Sequence, residues 1–236
     1  MQDHSHEPED IARRIGTAQG HGVLRDVVYG AIDGSVTTFA IVAGVAGAGL
    51  SPFIIVALGL ANVFADGFSM AAGNYSGTKA ELDNIQRLRA IEERHIARYP
   101  DGERQEVREI LSQKGLSGQV LEDATQEITS DRNNWIQLML DGEYGLGGVD
   151  PHPLRAAMAT FFAFLVAGMI PLVPFLLGLE DAFTYSAWMT LGVFFAIGAL
   201  KSHWSLAPWW RSGAETLVIG GVAAGIAYGV GTLFNQ

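Results

Sequence analysis

Residues 53–76 read FIIVALGLANVFADGFSMAAGNYS and decide the class of fold. This run is long enough to cross a bilayer, because the hydrocarbon core requires about 20 apolar residues of helix. Its Asp66 would then lie at membrane depth, where a carboxylate costs roughly 2.5–3.5 kcal/mol on insertion scales. A second such run, residues 27–50, contains Asp33. Two intramembrane carboxylates in consecutive segments predict a site for ions or protons.

The composition is typical of a membrane protein. The 236 residues are 49% hydrophobic and include 29 glycines, and the mean hydropathy is +0.22. Glycine is frequent in transmembrane helices because it lets neighbouring backbones approach closely. The formal net charge of −10 argues against a nucleic-acid partner, which would need a basic face. The chain has no cysteine, so disulfides and thiolate metal ligands are excluded.

Five apolar segments predict an all-α polytopic membrane protein with five transmembrane helices. Arg13, Arg14 and Arg25 precede the first segment, whereas the connection 50–52 has no charge. By the positive-inside rule, we expect a cytoplasmic N-terminus. An odd number of crossings would place the C-terminus on the opposite side of the membrane. The five segments are 27–50, 53–76, 156–178, 182–200 and 214–234.

A charged stretch, residues 78–154, separates the second and third apolar segments and holds more than half of the acidic residues. The pattern predicts three helices there, at about 78–98, 103–114 and 117–143. The topology would place them in the cytoplasm, as an acidic three-helix domain inserted between the second and third transmembrane helices. The remaining parts of the chain would be an N-terminal cytoplasmic tail at 1–25, transmembrane helices 1–2 at 26–77, and transmembrane helices 3–5 at 155–236.

Polar side chains align along one face of the second apolar segment. Asn62, Asp66 and Met70 follow each other at i, i+4 spacing, so they lie one helical turn apart. Amide oxygen, carboxylate and thioether together suit a divalent metal of intermediate softness, such as Fe²⁺ or Mn²⁺. The alternative is that Asp33 and Asp66 form hydrogen bonds inside a packed bundle and have no ion-binding role.

The charged stretch contains a second set of potential metal ligands, arranged in pairs three or four residues apart. A Glu-x-x-His pair facing acidic groups on other helices is the chemistry of di-iron carboxylate bundles. The alternative is a solvated charged surface, because arginines are interleaved with the acids. The pairs are Glu92 with His95, Glu103 with Glu106, and Met139 with Glu143.

Three motifs, together with the acidic helices, resemble the vacuolar iron transporter family over roughly residues 25–234. The resemblance implies five transmembrane helices per subunit, a homodimer with a translocation path at the subunit interface, and a cytoplasmic three-helix metal-binding domain. It also implies that Fe²⁺, and often Mn²⁺, leaves the cytosol in exchange for protons. The motifs are RDVVYGAIDG (25–34), LANVFADGFSMAAGNYSGTKAE (60–81) and WIQLMLDGEYGL (135–146).

The resemblance also implies roles for individual residues. Asp33 matches the transport carboxylate of the first helix, and Met70 matches the thioether ligand of the second. The positions that match metal ligands of the cytoplasmic domain are Glu92, Glu103, Glu106, Met139 and Glu143.

The chain departs from the family pattern at two positions. Asn62 stands where the pattern has a glutamate, and since an amide cannot take up a proton, we expect Asp66 to compensate one helical turn away. His95 stands where the pattern has a second glutamate of the domain. Imidazole remains a competent iron ligand, and it would make metal binding sensitive to pH near neutrality.

The function we expect is proton-coupled export of Fe²⁺, and of Mn²⁺, by an antiporter that is not an enzyme and has no prosthetic group. Its partners would be divalent metal ions, protons, lipid and a second copy of the chain. The alternative is a membrane-tethered di-iron carboxylate ferroxidase or iron store, although a ferritin-like site needs two Glu-x-x-His motifs. Compact loops favour a prokaryotic plasma membrane as the location, with a vacuolar membrane as the alternative.

Overall fold

The structure is a computed structural model that describes residues 7–11, 23–146, 151–202 and 207–235. Most of the predicted N-terminal tail therefore lies outside the described residues. Every regular element in these ranges is helical, as predicted. From residue 23 onwards the α-helices are α1 (Leu24–Gly47), α2 (Pro52–Arg98), α3 (Pro100–Gln113), α4 (Gly118–Ser130), α5 (Arg132–Gly142), α6 (Pro153–Met169), α7 (Val173–Leu176), α8 (Ala182–Lys201) and α9 (Trp209–Thr232).

Five helical spans in the described part of the chain are long and apolar enough to cross a membrane, which confirms the predicted number. They are α1, the apolar part of α2, α6 continued by α7, α8 and α9. The span of α6 and α7 changes to a 3₁₀ turn at Ile170–Leu172, next to the prolines Pro171 and Pro174. Proline removes a backbone donor and crowds the preceding turn, which explains the irregularity.

The chain divides into two compact units, each with its own core. One consists of Val23–Gly77 and Pro153–Gln236 and is called the apolar unit below. The other contains Thr78–His152 and is called the acidic unit. Helix α2 contributes residues to both units, because it runs without interruption from Pro52 to Arg98.

In the apolar unit, glycine permits close contact between α1 and α6. A Cβ atom at Gly34 would lie 2.5 Å from the carbonyl oxygen of Phe164, so this position tolerates no side chain. Small residues at the interface between two transmembrane helices allow their backbones to approach each other this closely. The buried apolar core of this unit includes Phe39, Val42, Ile55, Val63 and Leu172.

The acidic unit differs from the sequence prediction in one element. The helix expected over 117–143 is two helices, α4 and α5, which are separated at Asp131. Asp131 has an extended backbone, and its side chain accepts a hydrogen bond from the N–H of Asn134 at 2.9 Å. It therefore caps the N-terminus of α5, a role that aspartate performs well. Ser117 precedes α4 as expected, but its side chain makes no capping hydrogen bond.

Candidate metal centre

Three potential metal ligands converge where α2 meets α3. Glu92 and His95 lie on the last turns of α2, and Glu103 lies on the first turn of α3. The break at Tyr99 (φ −134°, ψ 52°) separates the two helices and lets Pro100 begin α3. Because the chain reverses there, Glu103 returns to the face of α2 that carries Glu92 and His95.

The distances among these side chains suit a metal ion. Nδ1 of His95 lies 3.5 Å from Oε1 of Glu103 and 3.9 Å from Oε1 of Glu92. One donor atom from each of the three residues lies within 4.8 Å of the others. Metal–ligand bonds of about 2.1 Å place neighbouring donors about 3–4 Å apart. The donors could therefore close on one ion with little movement.

Burial of the two carboxylates makes their negative charge energetically unfavourable unless a cation compensates it. Glu92 is fully buried and Glu103 is 5% exposed, yet Oε2 of each has no hydrogen-bond partner among the described residues. A buried carboxylate oxygen without a partner carries an uncompensated desolvation cost. A bound cation is one of the explanations for such an atom in a folded protein. His95 is half exposed, so the centre is accessible to solvent on that side.

Burial and mutual repulsion disfavour ionisation of the carboxyl groups in and around the cluster. Burial, followed by the nearby carboxylates of Glu106 and Glu92, raises the pKa of Glu103 to about 7. The pKa of Glu143 is raised as well, first by desolvation of its carboxyl group and then by Glu92 and Glu106. Tyr144 and His95 act in the opposite direction on Glu143. A divalent cation would relieve this mutual repulsion.

The three other predicted ligands of the acidic unit are placed differently from one another. Glu106 and Glu143 are exposed, but both act electrostatically on Glu103. Met139 is fully buried in an apolar core that includes Trp135 and Ile136. The acidic unit thus combines two buried carboxylates and a half-exposed imidazole with two exposed carboxylates close enough to influence their charge.

The four predicted site residues of the apolar unit all lie on α1 or α2. Asp33, Asn62 and Met70 are half buried, whereas Asp66 is exposed. The carboxylates of Asp33 and Asp66 lie close enough to interact electrostatically. The Asn62 amide donates towards the hydroxyl oxygens of Thr37 and Thr38 of α1, at 3.4 Å each.

Tyr144 is a residue of the centre that the sequence reasoning missed. Its hydroxyl donates a hydrogen bond to Oε1 of Glu92 at 2.9 Å and also interacts with the Glu143 carboxylate. Burial and the hydrogen bond to Glu92 raise the pKa of Tyr144 above its usual range, so the hydroxyl remains a donor. The only signal in the sequence was its position directly after Glu143. A tyrosine with a buried ring usually finds a partner for its hydroxyl.

The chain is similar in sequence to a family of known proteins. A family model described as the VIT family matches residues 24–232. Vacuolar iron transporter 1 of Arabidopsis thaliana is 33% identical over 209 residues, which cover 87% of this chain and 84% of that protein. Vacuolar iron transporter 1 of Oryza sativa subsp. japonica is 31% identical over 96% of this chain and 89% of its own length.

A more distant organism gives a similar result. The vacuolar iron transporter of Toxoplasma gondii is 32% identical over 224 residues, which cover 90% of this chain and 74% of that protein. The family match extends from the first residue of α1 to the last residue of α9. The chain belongs to the VIT family, the vacuolar iron transporters.

Proposed function

We propose that this protein exports Fe²⁺, and also Mn²⁺, from the cytosol across a membrane in exchange for protons. Membership of a family whose relatives are named vacuolar iron transporters supports metal transport. The observation that carries the metal assignment is the pair of buried, unpartnered oxygens of Glu92 and Glu103 beside the His95 imidazole. Carboxylate and imidazole together are competent ligands for both metals.

The acidic unit would bind metal ions from the cytoplasm before they are transported. Four of its carboxylates (Glu92, Glu103, Glu106 and Glu143) interact electrostatically and create a negative potential that attracts divalent cations. Binding at the buried cluster would raise the local metal concentration on the cytoplasmic side. This role requires that the ion be held loosely enough to leave again, and the exposed side of His95 provides an exit.

The apolar unit would provide the translocation path. The carboxylates of Asp33 and Asp66, the amide of Asn62 and the thioether of Met70 offer donors of mixed softness at membrane depth. Asn62 cannot be protonated, so proton coupling would depend on Asp33 and Asp66. Protonation of these carboxylates from the far side would weaken metal binding and release the ion, because a carboxylate ligates well only when ionised.

The exposure of Asp66 supports assembly of two copies of the chain. Asp66 lies on a helix apolar enough to cross a membrane, and its neighbours Phe64 and Phe68 are 56% and 69% exposed. A carboxylate facing lipid would be costly, so intramembrane acids usually face a protein interior or a water-filled cavity. A second copy packed on this face would cover the apolar side chains and enclose Asp66 in the path.

Transport in proteoliposomes tests the proposal. Vesicles with an acidic lumen should take up Fe²⁺ or Mn²⁺ from outside, and the uptake should be accompanied by proton release from the lumen. Asp33→Asn should abolish the coupled flux, whereas Asp181→Asn, in the loop before α8, should leave it intact. Proton-coupled uptake by Asp33→Asn at the normal rate would contradict the mechanism.

A measurement of oxygen consumption distinguishes transport from enzymatic iron oxidation. If the acidic unit were a ferroxidase, Fe²⁺ added aerobically to the detergent-solubilised protein would be oxidised with stoichiometric oxygen consumption. For a transporter we expect no oxygen consumption above that of a protein-free control. Turnover with oxygen, without metal flux in vesicles, would favour the ferroxidase or storage alternative.

The membrane in which the protein acts is a further part of the proposal. The relatives carry vacuolar names, which favours a vacuolar membrane over the prokaryotic plasma membrane expected from the compact loops. We retain the cytoplasmic location of the N-terminus and of the acidic unit, because it follows from the charge distribution around the first helix. In sealed vesicles whose cytoplasmic side faces outwards, added protease should cleave the acidic unit. Protection of the acidic unit from the protease would refute this topology.

A further inference from the structure

Tyr144 connects two parts of the acidic unit that are far apart in sequence. Its hydroxyl lies 2.9 Å from Oε1 of Glu92, a residue 52 positions earlier on α2. Oε1 of Glu92 therefore has a hydrogen-bond donor, whereas Oε2 of the same carboxylate has none among the described residues. The two oxygens of this fully buried side chain are thus chemically different.

The backbone around Tyr144 is fixed on both sides of the residue. Gly145 adopts a left-handed conformation (φ 68°), and its N–H donates to the carbonyl of Asp141 at 3.1 Å. The N–H of Leu146 donates to the carbonyl of Leu140 at 2.9 Å. This is a glycine-terminated helix end, in which the last carbonyls of α5 are satisfied by the residues that follow. The phenol is therefore presented to Glu92 by a well-defined turn.

We propose that Tyr144 is a positioning residue of the metal centre, which fixes the orientation of the Glu92 carboxylate by donating to Oε1, the oxygen that lies 3.9 Å from Nδ1 of His95. The inference rests on the proposed metal-binding function of the cluster. Groups that hydrogen-bond to metal ligands fix the orientation of those ligands, and their loss typically lowers metal affinity about 10–100-fold. Tyr144 itself need not contact the metal, since its effect passes through the Glu92 carboxylate.

The chain offers a matched control for the loss of one phenolic hydroxyl. Tyr99 also belongs to the acidic unit, but it is 58% exposed and stacks with the Arg98 guanidinium. Affinity for Mn²⁺ would be measured on the full-length protein by electron paramagnetic resonance, which counts free Mn²⁺ up to millimolar concentrations. We expect Tyr144→Phe to weaken binding about 10–100-fold and Tyr99→Phe to leave it within about twofold.

A double-mutant cycle separates positioning from a general structural role. If Tyr144 acts through Glu92, adding Tyr144→Phe to a Glu92→Gln background should produce no further loss of affinity. An equal loss in both backgrounds, or increased hydrogen exchange of α5 in the metal-free Tyr144→Phe protein, would overturn the inference.

Two remaining outcomes separate the inference from the function on which it rests. Normal Mn²⁺ affinity in Tyr144→Phe, together with a loss in Glu92→Gln, would refute the role of Tyr144 and leave the metal centre intact. Absence of Mn²⁺ binding at the acidic unit of the wild-type protein would instead refute the metal centre itself.

Discussion

Replacing Glu103 by glutamine should stabilise the metal-free protein at alkaline pH while abolishing its response to metal. The folded environment raises the pKa of Glu103 from 4.5 to about 7 because the carboxyl is buried beside other acids. The folded state therefore binds the proton more tightly than the unfolded state. The contribution of Glu103 to stability is complete below pH 4.5, decreases as the pH rises towards 7, and is lost above it.

The magnitude follows from the two pKa values. A tenfold change in proton affinity corresponds to about 1.4 kcal/mol, so ionisation of Glu103 costs the fold up to about 3 kcal/mol at pH 8. Glutamine resembles the protonated acid and does not incur this cost. At pH 4.5, where Glu103 is protonated in the folded state, the variant and the wild type should have nearly equal stability.

Native-state hydrogen exchange of α3 provides the assay, because it reports the free energy of local opening in the intact protein. Metal-free samples would be compared at pH 5 and pH 8 after correction for intrinsic exchange rates. The control is Glu109→Gln, an exposed glutamate of the same helix that pairs with Gln113. Mn²⁺ at 100 times its dissociation constant should then stabilise the wild type by about 2.7 kcal/mol and leave Glu103→Gln unchanged.

Two results would refute this reasoning. If Glu103→Gln were no more stable than the wild type at pH 8, the pKa of Glu103 would not be raised in the folded protein. If Mn²⁺ protected the variant as strongly as the wild type, Glu103 would not be a ligand. A comparable effect of Glu109→Gln would show that the change reflects net charge and not the buried cluster.

Three further predictions concern packing, capping and ligand chemistry. Gly34→Ala should lower the thermal midpoint by an amount that corresponds to about 1–3 kcal/mol, whereas Gly192→Ala, with open space around it, should be neutral or slightly stabilising. Asp131→Ala should remove the cap of α5 and lower the free energy of opening of this helix, measured by hydrogen exchange, by about 1 kcal/mol. The control Asp123→Ala, at an exposed position, should leave this free energy nearly unchanged. His95→Ala should weaken Zn²⁺ and Fe²⁺ binding more than Mn²⁺ binding in competitive titrations, because imidazole suits the first two metals better. Equal losses for all three metals would contradict a role for the ring nitrogen.

The helices of the apolar unit could be predicted from the sequence because their length and hydropathy are local properties. The passage of α2 into the acidic unit is consistent with the sequence, since no proline interrupts the chain between Pro52 and Pro100. The division at Asp131 was not predicted, because the charged pattern continues across it. Only the hydrogen bond from the N–H of Asn134 identifies this aspartate as a cap.

The candidate site was predictable to a similar degree. The proximity of Glu92 and His95 follows from their i, i+3 spacing on one helix. The approach of Glu103 depends on the reversal at Tyr99, and the gap between the predicted helices 78–98 and 103–114 indicated only that the chain breaks there. The contact of Tyr144 with Glu92 arises from tertiary packing across 52 residues, and no local pattern encodes it.

The presence of a metal ion at the Glu92–His95–Glu103 cluster is the central claim. Anomalous diffraction at the manganese edge, from crystals of the full chain grown with Mn²⁺, tests it most directly. We predict an anomalous peak within about 2.3 Å of a donor atom of each of Glu92, His95 and Glu103. Manganese density elsewhere in the chain, with none between these three side chains, would contradict the assignment.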